Sequence, residues 1–364
     1  MKVSNRFLYY QLVKDLGQNT EKMFRLNNQI SSGKRIDTPS EDPIGMSSVL
    51  IYRTELNSFT QYKKSIDYAN GWLNRMDSIL QETDNILARA SELAVQQASA
   101  TSTAETRSGA AEEVKELRSM VLSQANAKYG NKYIFGGTMT QNLPFLLVDV
   151  EQLEEDVATM ASAPPAAPAD GDRYLDTDDD HIWQYDALSA TWVDQGAPAN
   201  GSAVIVNDRN TAYVYTDGQW SSVYQGNEST FSMQIGKEST AQVNIPGSEL
   251  FTNPQGDVFM SLLRLERALR ANDPDAISAQ LGAIEDAGKV LSDNLAKVGA
   301  ITNKLDNTKS ILETSRVDTT EMVSNIEDLD YAEAITSLQN QQTIYEAALK
   351  SASMITGLSL VDYI

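Results

Sequence analysis

The sequence predicts a mainly α fold with a β insert. A long antiparallel helical rod or coiled-coil bundle is built from both chain ends, and a small acidic β domain is attached to it. Three observations carry this expectation. Apolar residues recur every seven positions in two widely separated stretches. The composition changes sharply between those stretches. The two chain ends are single amphipathic helices of opposite net charge.

The first rod helix is expected over 56–97. Phe59, Ile66, Leu73, Leu80, Leu87 and Ala94 are each seven apart, with Tyr62, Ala69, Met76 and Ala90 three residues later and Thr83 as the polar exception. Alternating spacings of 3 and 4 over that length define a coiled-coil seam rather than a short globular helix. A helix is also expected over 108–128, with Ala111, Val114, Leu117, Val121 and Ala125 inward. The return rod carries Ile277, Ile284, Leu291, Val298, Leu305 and Leu312, with Leu281 and Leu295 in the companion positions, and "NDPDAIS" starts it well. A 40-residue helix spans roughly 60 Å at 1.5 Å per residue, so the two rods are long enough to pack lengthwise. A fourth helix carries Leu8, Leu12, Leu16, Met23, Leu26 and Ile30. A last one runs from about Asp328 to Met354, with Ile335, Leu338, Tyr345, Leu349 and Ala352 on one stripe.

A lone amphipathic helix cannot bury its stripe by itself. The terminal helices must pair with each other, with neighbouring copies, or with both. Residues 1–30 carry five basic and two acidic side chains and residues 320–364 one basic and seven acidic, so the ends attract each other.

Between the rods the composition is different. "APPAAPADGD" (163–172) reads as a linker into a β-rich segment that holds Trp183, Trp192 and Trp220. "SAVIVND" reads as a strand. "HIWQYDALSATWVDQ" and "TAYVYTDGQWSSVYQ" read as hairpins, the second turning at Asp217-Gly218. Residues 145–250 hold 18 acidic against 3 basic side chains, most of the chain's net charge of −21. A surface this acidic faces solvent and repels nucleic acid.

Several chemistries are excluded. There is no Cys and only one His, so disulfides, thiolate zinc sites, thiol catalysis and multi-His metal sites are out. No apolar run approaches a membrane span, and the N-terminus lacks the pattern of a cleaved secretory signal. "ISSGKRIDTPSEDPIG" (30–45) fails as a phosphate loop, because Asn28 and Arg35 stand where a Gly and a hydroxyl are required. "DTDDD" (176–180) fails as a helix–loop–helix calcium site, with His181 and Ala187 at the Gly and Glu positions. His181 has no nucleophile pattern beside it, and Glu154 and Glu155 read as a solvated face. Asn200-Gly-Ser and Asn227-Glu-Ser match the glycosylation pattern by chance. What remains for 31–45 is a connector: Gly33 suits a left-handed helix cap, and Pro39 and Pro43 stop helix continuation.

These residues carry a family resemblance. "MKVSNRFLYYQL" and "LNNQISSGKRIDTPSEDPIG" resemble the N-terminal signature of the bacterial flagellin superfamily. "NAKYGNKYIFGGTMTQNLPF" and "ASMITGLSLVDYI" resemble more specifically its hook–filament junction family, hook-associated protein 3, and "YQGNESTFSMQIG" and "VNIPGSELF" resemble that family's return strands after the insert. The resemblance covers about 1–145 and 220–364. Val3-Ser4-Asn5, "RIDTPSEDPIG" and Phe135-Gly136-Gly137 depart from flagellin proper and favour the junction family over a filament subunit.

The resemblance implies a structural adaptor with no enzymatic activity and no cofactor. It implies export through the flagellar type III apparatus without a cleaved signal, and an extracellular place in the flagellum. The implied partners are the first hook-associated protein, flagellin, copies of itself and an export chaperone, without membrane insertion. The expected domains are terminal helices, 1–48 and 320–364, that order on assembly; a rod, 49–144 and 245–319, with a small hairpin; and an exposed acidic insert, 145–244. The expected assembly surface comprises Leu8, Leu12, Leu16, Met23 and Leu26, then Ile335, Leu338, Tyr345 and Leu349, then the connector residues Lys34, Arg35, Ile36, Asp42 and Pro43. A filament subunit, and a surface adhesin binding glycan through the insert's tryptophans, are the competing readings.

Overall fold

The computed structural model describes residues 2–148, 150–209, 211–216 and 219–361, except for the side chains of residues 2–6, 8 and 355–361. Asp217, Gly218 and the side chain of Leu8 therefore lie outside the described residues. The helices are α1 (Lys2–Ser32), α2 (Pro43–Gln97), α3 (Ala104–Ala125), α4 (Gly247–Leu250), α5 (Val258–Arg270), α6 (Pro274–Glu327) and α7 (Tyr331–Val361). The chain divides into two compact units, residues 1–63 with 310–364 and residues 64–309.

In the first unit α1 lies along α7. Leu12, Leu16, Asn19, Met23, Leu26 and Ile30 form the half-buried seam of α1, and Leu338, Gln341, Tyr345, Ala348 and Ala352 that of α7, with Ala334 fully buried at its start. Both follow the 4–3 spacing of a coiled coil. A polar pair sits inside the seam, where Gln341 Nε2 donates to Asn19 Oδ1 at 2.7 Å. The expected α7 stripe is corrected here. Ile335 and Leu349 are exposed, each one position past a seam residue, Ala334 and Ala348. Ala is small enough for two helices to approach closely, and the larger apolar side chains beside it are left in water.

α2 and α6 run antiparallel. In the first unit Arg53 pairs with Glu327 and Lys63 with Glu313. In the second Asp67 pairs with Lys309 and Asn70 with Asp306. Advancing along one helix retreats along the other. The predicted heptad residues Ile66, Leu73, Leu80, Leu87 and Ala94 are buried, as are Ile277, Ile284, Leu291, Val298 and Leu305. Thr83 is buried too, and satisfies its hydroxyl by donating to the Ile79 carbonyl at 2.8 Å. Both helices extend beyond their apolar repeats, and the expected start of the first rod helix at 56 is corrected: Pro43, read as a stop, is the first residue of α2, as Pro274 is of α6, a position where the missing N–H has no intrahelical partner to lose.

The second unit adds α3 packed on α5. Thr103 and Thr106 form a reciprocal capping box at the start of α3. Helix α5 has no counterpart in the sequence reading. It is buried along most of its length, from Val258 to Leu269, and turns one polar face outward, where Arg267 and Arg270 are exposed. "VNIPGSELF" is corrected likewise: Gly247–Leu250 is a helical turn following Pro246, not a strand.

The strands of this unit are β1 (Lys128–Tyr129), β2 (Lys132–Tyr133), β3 (Thr159–Ala161), β4 (Arg173–Asp176), β5 (Ile182–Asp186), β6 (Thr191–Asp194), β7 (Ala203–Val206), β8 (Thr211–Thr216), β9 (Gln219–Ser222), β10 (Ser232–Gln234), β11 (Thr240–Gln242), β12 (Thr252–Asn253) and β13 (Gly256–Asp257). The core of the insert is built from two sheets, β3-β4-β5-β6 and β7-β8-β9, and the two-stranded β10-β11 follows them. β3–β4 is a parallel pair, and β4–β5–β6 and β7–β8–β9 are antiparallel. Leu175 and Ile182 from the first sheet share one core with Val204, Val206 and Trp220 from the second, joined by Val157. "APPAAPADGD" is thus no boundary. It lies between β3 and β4, inside the β-rich segment.

Candidate assembly surface

The connector between α1 and α2 is built from its caps inward. Gly33 closes α1 at φ +73°, with its N–H on the Gln29 carbonyl at 2.9 Å. Asp42 caps α2 by accepting the Gly45 N–H at 2.9 Å, and Pro43 is the first helical residue. Ile36 is 2% exposed and anchors the middle of the connector. A Cβ on Gly45 would stand 2.9 Å from Ile36 Cδ1, so the turn closes tightly over that anchor.

The connector is fastened to the end of α6. The Arg35 N–H donates to the Glu327 carbonyl and Arg35 Nη2 to the Ile326 carbonyl, each at 2.7 Å. Lys34 Nζ stands 2.7 Å from Glu327 Oε1, and Arg53 Nη2 donates to both Glu327 oxygens at 2.7 Å. The Glu327 side chain is 5% exposed. A buried carboxylate is stable only when paired and hydrogen-bonded, and two cations and an adjoining backbone bridge supply this. Arg53 and Glu327 did not emerge from the sequence. A charge pair separated by 274 positions leaves no local pattern.

The structure therefore divides the expected residues. Leu12, Leu16, Met23, Leu26, Leu338 and Tyr345 line the α1–α7 seam within one chain. Lys34, Arg35, Ile36 and Asp42 fix the connector. Pro43, Ile335 and Leu349 are exposed. More apolar surface lies beside them: Phe7, Tyr10 and Phe24 on α1 are each more than 60% exposed, and Ile344 and Met354 on α7 about half. In the same unit the fully buried described residues are only Ile36, Val49, Thr319, Glu327 and Ala334. A groove of about 590 Å³ runs between α1, the connector and α7, lined among others by Lys22, Arg25, Ile36 and Asn340. A unit with so small a core and so many exposed large apolar side chains presents an association surface.

Among the described residues the insert presents no comparable exposed aromatic surface. Trp220 is 8% exposed and donates its indole N–H to the Asp180 carbonyl at 2.9 Å. Trp192 is half-buried, edge-on to Tyr174 with centroids 4.8 Å apart. No helix among the described residues is long and apolar enough to cross a membrane.

Paired terminal helices, an antiparallel helical body and an insert between its strands define a class. The bacterial flagellin N-terminal helical region matches residues 3–140 and the C-terminal helical region matches residues 281–364. The chain belongs to the flagellin superfamily. Within it the likeness is to hook-associated protein 3. Flagellar hook-associated protein 3 of Escherichia coli K12 is 22% identical over 361 residues, 99% of this chain and 98% of its own. The crystal structure of flagellar hook-associated protein-3 from Legionella pneumophila shares the fold with a TM-score of 0.52 at 12% identity, covering 76% of this chain and 98% of that one. That of Bacillus cereus FlgL does so with a TM-score of 0.50 at 18% identity, covering 75% and 99%.

Proposed function

We propose that the chain is a structural adaptor that joins the flagellar hook to the filament, assembling into a ring through its terminal helices. The observation that carries this reading is the exposed apolar surface of α1 and α7 beside a seam that is only half-buried. Burial of a Phe or Leu side chain stabilises by about 1.5–3 kcal/mol, so several such residues per copy are enough to drive association.

On this reading the chain is not an enzyme. Its partners are the first hook-associated protein on the hook side, flagellin on the filament side, copies of itself, and an export chaperone that holds the C-terminal helix beforehand. It leaves the cell through the flagellar type III apparatus and works outside it. Residues 1–48 and 320–364 order on assembly, residues 49–144 and 245–319 form the rod, and the acidic 145–244 insert faces solvent. The assembly surface extends from the expected residues to Phe7, Tyr10, Phe24 and Ile344.

The test is a strain lacking this chain. Bare hooks with flagellin monomers secreted into the medium are the expected result. Filaments of normal length on swimming cells would overturn the reading. Loss of most exported protein mass would instead identify a filament subunit, which is abundant where a junction protein is scarce.

A further inference from the structure

The chain's only histidine lies at the joint between the two sheets of the insert. His181 ends the loop that connects β4 to β5. Its Nδ1 stands 3.0 Å from Asp194 Oδ2 and 3.1 Å from Asp194 Oδ1, on β6. Its carbonyl accepts the Asp176 N–H at 2.9 Å and its N–H donates to Asp179 Oδ1 at 2.9 Å, so the loop is closed on itself. Asp180, next to His181, is held at φ +59° and turns its carbonyl to the Trp220 indole. Trp220 comes from the second sheet and sits in the shared core. The loop that grips Trp220 is thus fastened at one end by an imidazole–carboxylate pair.

We propose that His181 and Asp194 form a proton-operated clasp. With the imidazole protonated, the pair holds the 176–181 loop against β6 and keeps the Asp180 carbonyl under Trp220. Loss of the proton leaves only a neutral imidazole hydrogen bond to Asp194, which weakens the hold on the loop and loosens the joint between the sheets.

The surroundings favour this. Among the described residues the ionisable groups that act on His181 are carboxylates: Asp194 on β6, and Asp179 and Asp180 in its own loop, which Asp176 and Asp178 begin. Trp220, from the other sheet, is neutral. The imidazolium is the loop's one positive charge, and its loss leaves the carboxylates unbalanced. The hydrogen bond to Asp194 holds the imidazole above its ordinary value of 6.5, against the opposing effect of burial. Asp194 is held below its ordinary value, first by the Gly196 N–H and then by His181. A group whose folded value is raised stabilises fully below its unfolded value and loses that contribution as pH rises through the folded one. The clasp is therefore tight in mildly acidic solution and slackens on the alkaline side of 6.5.

The experiment follows the Trp220 indole N–H and the His181 ring of the full chain by NMR, from about pH 5.5 to about pH 9, with Trp220→Phe to assign the signal. The expected result is one Trp220 transition that tracks the His181 ring, with its midpoint above 6.5. It should vanish in His181→Gln and move back toward 6.5 in Asp194→Asn. A Trp220 signal that stays flat while His181 titrates would overturn the proposal. So would a transition that survives His181→Gln.

Discussion

Two carboxylates carry most of the information at the scale of single residues. Glu327 is the buried partner of Lys34 and Arg53, both of which remain partly exposed. Glu327→Gln removes the charge but keeps acceptor shape, so the two cations return to water and the loss is about 1 kcal/mol. Its signature is local: faster amide exchange at Arg35 and Leu329, whose N–H groups bridge the connector and the end of α6. Unchanged exchange there would mean that the backbone bridge alone holds the connector. Asp257 is different. It caps α5, accepting the Met260 N–H at 2.7 Å, and burial pushes its carboxyl up to about 7. Folding therefore favours the protonated form. Stability is greatest near or below the ordinary carboxylate value and declines as pH rises toward 7. Asp257→Asn retains a capping oxygen without the charge. It should melt close to the parent near pH 4 and higher than the parent near pH 8; thermal melts at the two pH values decide this.

Elements meet at caps and seams. Gly33 ends α1 in the left-handed region, and a Cβ there would lie 2.8 Å from Tyr331 Oη at the start of α7. Gly33→Ala meets both the backbone cost of about 1–2 kcal/mol and this contact. The expected outcome is a lower melting temperature for the first unit with the second unit unaffected, read by amide exchange at Gln29 and Leu329. The α1–α7 seam obeys the heptad spacing, yet its register is marked by the Asn19–Gln341 hydrogen bond rather than by an apolar residue. A polar pair of this kind lowers seam stability while favouring one alignment. That suits helices that must also engage neighbours.

For the whole molecule the governing fact is an imbalance. The second unit buries the Ile66–Ala94 series of α2 and the Ile277–Leu305 series of α6, while the first leaves Phe7, Tyr10, Phe24, Ile344 and Met354 in water. Phe24→Asp, on the exposed face of α1 and away from its seam, should leave the circular dichroism and melting temperature of the isolated chain unchanged. It should reduce assembly at the hook at least about tenfold, equivalent to about 1.4 kcal/mol. Normal filament growth on a strain carrying that variant would remove α1's outer face from the assembly surface. Leu338→Asp gives the contrast, since Leu338 lies in the seam: it should disturb both α1–α7 packing and assembly.

The sequence by itself determined whatever is written in local spacing. The two heptad series, the Gly33 stop and the strands around Trp183, Trp192 and Trp220 are each contained within a few turns or one hairpin, where backbone geometry and burial period act directly on neighbouring residues. The tertiary structure alone decided which apolar residues of α7 meet α1. Ala334 and Ile335 are both apolar and adjacent, and only the approach of a second helix selects the smaller one. It alone placed α5 against α3, because contact between helices more than a hundred residues apart leaves no local pattern. It alone joined Glu327 to Lys34 and Arg53, because the attraction between charges depends on distance in space and is blind to distance along the chain.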